Sequence, residues 1–271
     1  MDAKSRERAD MPEGTSTILN VRTLASSHRR LSELLQPGLS VLDVGCGTGA
    51  ITEGIAGRVA PDGEVVGVDV NARLIVEARD RLASGHPGAD ISYEVADTYA
   101  LTFCDRFDIV TAARVLQWLS EPEQALHQMI KAAKPGGIVL VLDYNHERIR
   151  WEPEPPAEFK LFYAQFLQWR SDAGMHNRIA DELERLFASS GLTDIQFSSQ
   201  SETTTRHDPD FAEKIGIWAE VAASRGLQMV RDGYLTEDQR SQAEREYRQW
   251  IASTVESQTM YLLAVEGRKS G

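Results

Sequence analysis

The sequence predicts an α/β fold, a seven-stranded and mostly parallel sheet with helices on both faces, and three observations predict it. Short apolar runs near residues 40–44, 64–69, 91–95, 107–112 and 137–143 alternate with amphipathic segments of helical period, the pattern that demands a parallel sheet with right-handed crossovers. The nonapeptide VLDVGCGTG, residues 41–49, ends an apolar run in an acid and turns through Gly45, Gly47 and Gly49 into the amphipathic AITEGIAGRV. A second acid, Asp69, closes the next apolar run, Glu64 to Val68.

The elements follow in order. Residues 1–14, MDAKSRERADMPEG, are charged throughout and read as a disordered leader, not a signal peptide. Residues 17–36 place Ile18, Val21, Leu24, Leu31, Leu34 and Leu35 on helical faces and stop at Pro37-Gly38. They open a core of residues 15–145 that carries the five strands. Residues 179–206 supply a helix closed by Gly191 and a sixth strand, and residues 257–271 a last strand and tail. Two segments are surplus to this plan. In residues 146–178 Phe159, Phe162, Tyr163, Phe166 and Trp169 recur at helical spacing, so one face is almost wholly aromatic. Residues 207–256 are a charged helical insertion carrying Phe211, Ile215, Trp218, Val221 and Leu227. Together the two predict a helical lid over the carboxyl edge of the sheet.

Composition excludes several classes. With 271 residues, 42% hydrophobic, the chain can bury one sizeable core. No apolar run approaches the roughly 18 residues of a membrane span. A net charge of −12 repels a phosphate backbone, and no basic stripe with interleaved aromatics offsets it. The two cysteines, Cys46 and Cys104, have no metal-ligand spacing, so no metal site is expected and a reducing cytoplasm is the default location.

Glycine tolerates positive φ and carries no Cβ, so the turn at 45–49 lets backbone approach a ligand closely over the carboxyl ends of the strands. Its spacing departs from the dinucleotide pattern G-x-G-x-x-G. With Asp43 just before the turn, the stretch resembles motif I of class I S-adenosylmethionine (SAM)-dependent methyltransferases. Three more motifs stand in register. Asp69 ends GEVVGVD, Asp97 ends ISYEVAD, and FDIVTAARVLQWLSEP resembles motif IV, followed by the turn Lys134-Pro135-Gly136-Gly137 before the fifth strand. The resemblance is to the ubiquinone/menaquinone-biosynthesis type and covers roughly residues 15–145. It implies a Rossmann-like core in which the last strand pairs antiparallel beside the sixth.

The resemblance also implies a site. Asp69 would accept both ribose hydroxyls and Asp97 the adenine amino group, with Val70 and Thr98 beside them. Asp43, Gly45, Cys46, Gly47 and Gly49 would face the methionine part, Cys46 only as a small residue in a tight turn. Arg22 would meet the methionine carboxylate, and Arg114 belongs to the same cofactor set. Each has a plainer alternative: Asp69 as a helix cap, Asp97 as a turn residue, Arg22 as a solvated arginine. Tyr144, Phe162, Tyr163, Phe166 and Trp169 are the candidate acceptor-binding residues, though an aromatic stripe is more often simple core.

Methyl transfer needs binding, in-line placement and exclusion of water, effects that together supply about 7–11 kcal/mol. A base is needed only for a protonated acceptor. His146, just past the fifth strand, is the candidate because imidazole titrates near neutrality; His28, His176 and His207 are weaker. The expected protein is a SAM-dependent methyltransferase, with S-adenosylhomocysteine (SAH) as product, acting at oxygen, nitrogen or carbon of an apolar or aromatic small molecule. The Asn/Asp-Pro-Pro-aromatic tetrapeptide of nucleic-acid amino-methylating enzymes is absent where AARVLQ stands, so neither nucleic acid nor membrane is an expected partner. A homodimer stays open. The alternatives are a SAM-binding protein with a non-methylating or sensor role and a dinucleotide-dependent oxidoreductase.

Overall fold

The computed structural model describes Arg8, residues 19–83 and residues 88–271. Helices α1 (Leu24–Ser27) and α2 (Arg29–Leu34) lead to β1 (Ser40–Val44). The helical stretch expected over 17–36 is broken here, because Thr23 opens α1 with a capping box. Its Oγ1 accepts from Ser26 N at 3.2 Å, and Ser26 Oγ accepts from Thr23 N at 3.1 Å. Leu24, Leu31 and Leu35 are buried while Val21 is exposed, and Ile18 lies outside the described residues.

The chain then runs through α3 (Ala50–Val59), β2 (Glu64–Asp69), α4 (Ala72–Ala83), β3 (Asp90–Val95), β4 (Phe107–Ala113), α5 (Pro122–Ala132) and β5 (Ala133–Tyr144). It continues with β6 (Arg150–Glu152), α6 (Ala157–Ser171), α7 (Ile179–Ser189), β7 (Thr193–Ser199) and β8 (Glu202–Thr205). The last elements are α8 (Phe211–Ala223), α9 (Arg225–Arg231), α10 (Glu237–Ser253), β9 (Ser257–Met260) and β10 (Leu262–Arg268).

Seven strands form one sheet in the order β3-β2-β1-β4-β5-β10-β7. The first five are parallel, and β10 is antiparallel to both β5 and β7. Strand alternation sends Leu42, Val44, Val66 and Val110 to the face covered by α5 and α7, and Val41, Val65 and Ile109 to the face covered by α1 and α3. Burying each such side chain contributes about 1.5–3 kcal/mol, which sets the register of every strand. Strand order reverses between β1 and β4, and in open α/β sheets that reversal opens a crevice at the carboxyl ends.

The second body is formed by the two segments expected to make a lid. Helices α6, α8, α9 and α10 bury one aromatic cluster containing Phe159, Phe162, Phe166, Trp169, Trp218, Tyr247 and Trp250. A three-stranded antiparallel sheet, β6-β9-β8, joins it to the core, an element absent from the expectation. It arises because TMYLLAVEGR is not one strand. Tyr261 separates β9, which serves the small sheet, from β10, which serves the large one, and Tyr261 O accepts from Asn145 N at 3.0 Å. Of residues 1–14 only Arg8 is described. Its guanidinium is buried, packs over Trp169 and Tyr234, and donates to Asp232 at 2.8 Å; the rest of the expected leader lies outside the described residues. Among the described residues no helix is long and apolar enough to cross a membrane.

Candidate functional site

The glycine turn follows β1 at the point where strand order reverses. Gly45, Gly47 and Gly49 take φ of +71°, +55° and +78°, a left-handed region that costs other residues about 1–3 kcal/mol. Two of them are also crowded. A Cβ on Gly45 would overlap Val115, and one on Gly49 would lie 2.5 Å from the Tyr93 hydroxyl, whereas among the described residues Gly47 faces only Leu19 at 3.3 Å. Gly45 N and Cys46 N donate to Val68 O at 2.7 and 3.0 Å, which ties the turn to the end of β2.

Asp69 closes that strand. Its Oδ2 accepts from Gly47 N at 3.0 Å and its Oδ1 from Asn71 N at 2.8 Å, so the carboxylate is oriented by the glycine turn on one side and by the start of α4 on the other. Asp43 is buried beneath them and accepts from Thr52 Oγ1 at 2.7 Å. Burial pushes its pKa up to about 7, with Thr52 opposing and the Asp69 charge adding. Cys46 is buried, and burial raises its thiol pKa further from the thiolate. Val70 lies beside Asp69 with 69% of its surface exposed. Asp97 caps the short 3₁₀ turn Thr98–Ala100, its Oδ1 accepting from Tyr99 N at 3.0 Å. These residues gather at the carboxyl ends of β1, β2 and β3. This geometry fits a nucleoside thioether: bare backbone over one part and an oriented carboxylate for vicinal hydroxyls.

Arg114 follows β4 in the left-handed conformation, φ +63°. Its Nε donates to the Tyr144 hydroxyl at 2.8 Å, and its Nη2 meets Glu202 at 2.7 Å and Ser27 O at 3.3 Å. Arg114 thus ties β4, β5, α1 and β8 together. Arg22, partly exposed, lies within electrostatic range of Arg114, Tyr144 and Glu202.

His146 is 6% exposed at the end of β5. Its Nε2 is 2.6 Å from Gln117 Oε1, and its Nδ1 has no hydrogen-bond partner among the described residues. Burial, then the charges of Arg170 and Arg22, hold its pKa well below the ordinary value, against the titration near neutrality that the sequence suggested. Asp143, fully buried next to it, accepts from Gln117 N at 3.1 Å and Tyr144 N at 2.9 Å; burial lifts its pKa to about 6. Arg170 is fully buried, 4.3 Å over the Trp118 ring, with its pKa lowered to about 9 by burial and by Arg225. His28 sits behind Arg114, fully buried and 3.4 Å from Thr111 Oγ1, its pKa pushed to about 3 by burial and Arg114. The His176 ring lies 3.7 Å from Glu182, while its backbone N donates to Gln117 O at 3.1 Å.

The aromatic stripe has a different position from the one a pocket wall would need. Phe162, Phe166 and Trp169 are 1%, 2% and 0% exposed and pack into the lid interior. Tyr163 reaches toward the edge and donates to His146 O at 2.7 Å. Tyr144 lies below, its ring 5.2 Å from that of His146. Gln117, Arg170 and Glu202, which with Trp218 of the insertion complete this region, went unnoticed in the sequence. An arginine in the last turn of an otherwise aromatic helix was the one signal on offer. Among the described residues no cluster of three His, Cys, Asp or Glu could hold a metal ion.

The family described as a methyltransferase domain matches residues 35–264. The chain belongs to that family of methyltransferase domains. It is 35% identical over 139 residues to a ubiquinone/menaquinone biosynthesis C-methyltransferase, UbiE, of Burkholderia multivorans, a match covering 51% of this chain and 55% of that protein; the chain thus spans about half the length of that relative. Among solved structures, the YcgJ protein of Bacillus subtilis aligns with a TM-score of 0.58 at 16% identity, covering 89% of this chain and 97% of that one. Phosphoethanolamine N-methyltransferase 2 of Haemonchus contortus, solved with phosphomonomethylethanolamine and SAH, aligns at 0.55 and 17% identity over 96% of this chain and 54% of that one. The two structures share the fold.

Proposed function

We propose that the protein transfers a methyl group from SAM to a small molecule of apolar or aromatic character, at oxygen, nitrogen or carbon, and releases SAH. The observation that carries this reading is the Asp69 carboxylate, oriented by Gly47 N and Asn71 N beside a left-handed glycine turn at the sheet's reversal point. In this reading Asp69 binds the ribose hydroxyls and Asp97 with Thr98 the adenine edge. Val70 covers the adenine face, and Asp43, Gly45, Cys46, Gly47 and Gly49 surround the methionine part. Arg22 and Arg114 flank its carboxylate. The sulfonium supplies an activated methyl group; the chain binds, orients and excludes water.

The acceptor lies between the edge and the lid, with Tyr144 and Tyr163 as its polar contacts, Phe162, Phe166 and Trp169 as the rigid backing of that wall, and His146 as the base for a protic acceptor. The acceptor is not nucleic acid, no membrane partner takes part, the enzyme works in the cytoplasm, and a homodimer is compatible with this site. Labelled SAM incubated with candidate phenols, amines and quinols, alongside calorimetric titration of SAM and SAH, tests the reading. SAM binding without methyl transfer to any acceptor class would turn it into a sensor; no SAM binding would end it.

A further inference from the structure

Gln117 joins two groups that the chain brings to one point. Its Oε1 accepts from Arg170 Nη2 at 3.1 Å and lies 2.6 Å from His146 Nε2. A guanidinium only donates, so the Gln117 atom it meets is the carbonyl oxygen. The amide nitrogen is turned the other way, toward Arg114 O at 3.4 Å. Arg170 is itself held, its Nε donating to Asn177 Oδ1 at 2.8 Å and its Nη2 to Gln117 O at 3.1 Å. An acceptor facing His146 Nε2 requires that nitrogen to carry the ring proton. In a neutral imidazole the other nitrogen then holds the lone pair. That nitrogen, Nδ1, is buried and, among the described residues, without a partner, in a ring set among Tyr144, Phe166 and Trp218 with centroids at 5.2, 6.5 and 6.0 Å. Buried polar atoms without partners are uncommon, and each calls for an explanation.

We propose that Gln117 and Arg170 are positioning residues: Arg170 orients the Gln117 amide, and the amide holds His146 as the Nε2–H tautomer, leaving Nδ1 to accept from an O–H or N–H of the methyl acceptor. The inference rests on the reading of His146 given above and narrows the acceptor to molecules with a protic group at the reacting atom. The acceptor's proton passes to Nδ1 while its bonding pair stays on the oxygen or nitrogen. That atom then bonds the methyl carbon as the carbon–sulfur pair remains on sulfur, and the ring returns its proton to water.

Long-range ¹H–¹⁵N NMR of the full chain labelled at histidine reads the tautomer directly, with His146→Phe identifying the resonance. The expected spectrum has a protonated Nε2 and a bare Nδ1. Gln117→Met should convert it to a tautomer mixture and lower kcat by about tenfold, a part of the 10²–10⁴ a general base contributes, with KM for SAM unchanged. Gln117→Glu, which keeps the acceptor oxygen, should retain the single tautomer. A ring protonated on Nδ1 in active wild-type enzyme, or an unaltered tautomer in Gln117→Met, would overturn the inference and leave the methyltransferase reading standing. The expected tautomer in a protein that transfers no methyl group would overturn that reading and leave the tautomer assignment intact.

Discussion

The glycine turn and the lid lie on opposite sides of the same edge and are built on different physics. In the turn, backbone does the work: three left-handed glycines, amides donating to Val68 O, and one carboxylate fastened to two backbone nitrogens. In the lid, side chains do it: stacked rings around Phe159, Phe166 and Trp169, and guanidiniums of Arg8, Arg170 and Arg225 laid over indoles. A motif of a few residues therefore carries nearly all the information for the first region. The second depends on partners up to 224 positions apart, such as Arg8 with Asp232.

Substitutions can break this contrast, the most damaging first. Gly45→Val meets both a left-handed φ, costing about 1–3 kcal/mol, and Val115 in the space of its Cβ. SAM binding should vanish in calorimetry and the urea midpoint should fall. Gly47→Ala, with only Leu19 nearby among the described residues, should keep the fold; equal damage at both positions would show that strain alone, without crowding, governs the turn.

In the lid, Phe166→Ala removes a ring that is 2% exposed and should cost about 3–5 kcal/mol of stability with SAM affinity unchanged. A raised acceptor KM at unchanged stability would instead put Phe166 on the pocket wall and make the two regions more alike. Asp69→Ala should do the reverse of Phe166→Ala, weakening SAM binding by about 1.5–3 kcal/mol through lost charge-assisted bonds while leaving the denaturation midpoint nearly in place. Unaltered SAM affinity would remove Asp69 from the nucleoside site.

Asp43 offers a pH test. Its folded pKa of about 7 lies above the ordinary value near ~3.9, so the folded state holds the proton more tightly. That contribution favours folding fully below about pH 4 and is lost as pH rises toward 7. Asp43→Asn keeps an acceptor for Thr52 and cannot ionise, so its stability relative to wild type should climb across that window and level off above it. A difference independent of pH would mean that Asp43 ionises at its ordinary value. The smallest effect belongs to the exposed start of α10, where Thr236 forms a capping box with Gln239. Thr236→Ala should cost about 0.5–2 kcal/mol and leave SAM affinity and turnover untouched.

The parallel core was legible along the chain because its signals are local. Each strand of β1 to β5 is a short apolar run, the acids end β1 and β2, and the glycines follow at once, so chain order alone aligns Asp43, Gly45 and Asp69. The break in the helical stretch over 17–36 was also a local signal, the Thr23–Ser26 capping box, hidden under a continuous apolar period. By contrast, the aromatic spacing of α6 told that a face is buried but not against what. Whether Phe162, Phe166 and Trp169 look outward to an acceptor or inward to α8 and α10 depends on the insertion that packs over them. His146 shows the limit most clearly. Its place after the fifth strand could be read directly, but its lowered pKa comes from burial with Arg170 and Arg22, and its Nε2 contact from Gln117, residues 24, 124 and 29 positions away. Periodicity and turn chemistry act between neighbours in the chain, so sequence alone determined the sheet and its glycine turn. Desolvation and buried hydrogen bonding act between neighbours in space, so only the tertiary structure decided the chemistry of the edge beneath the lid.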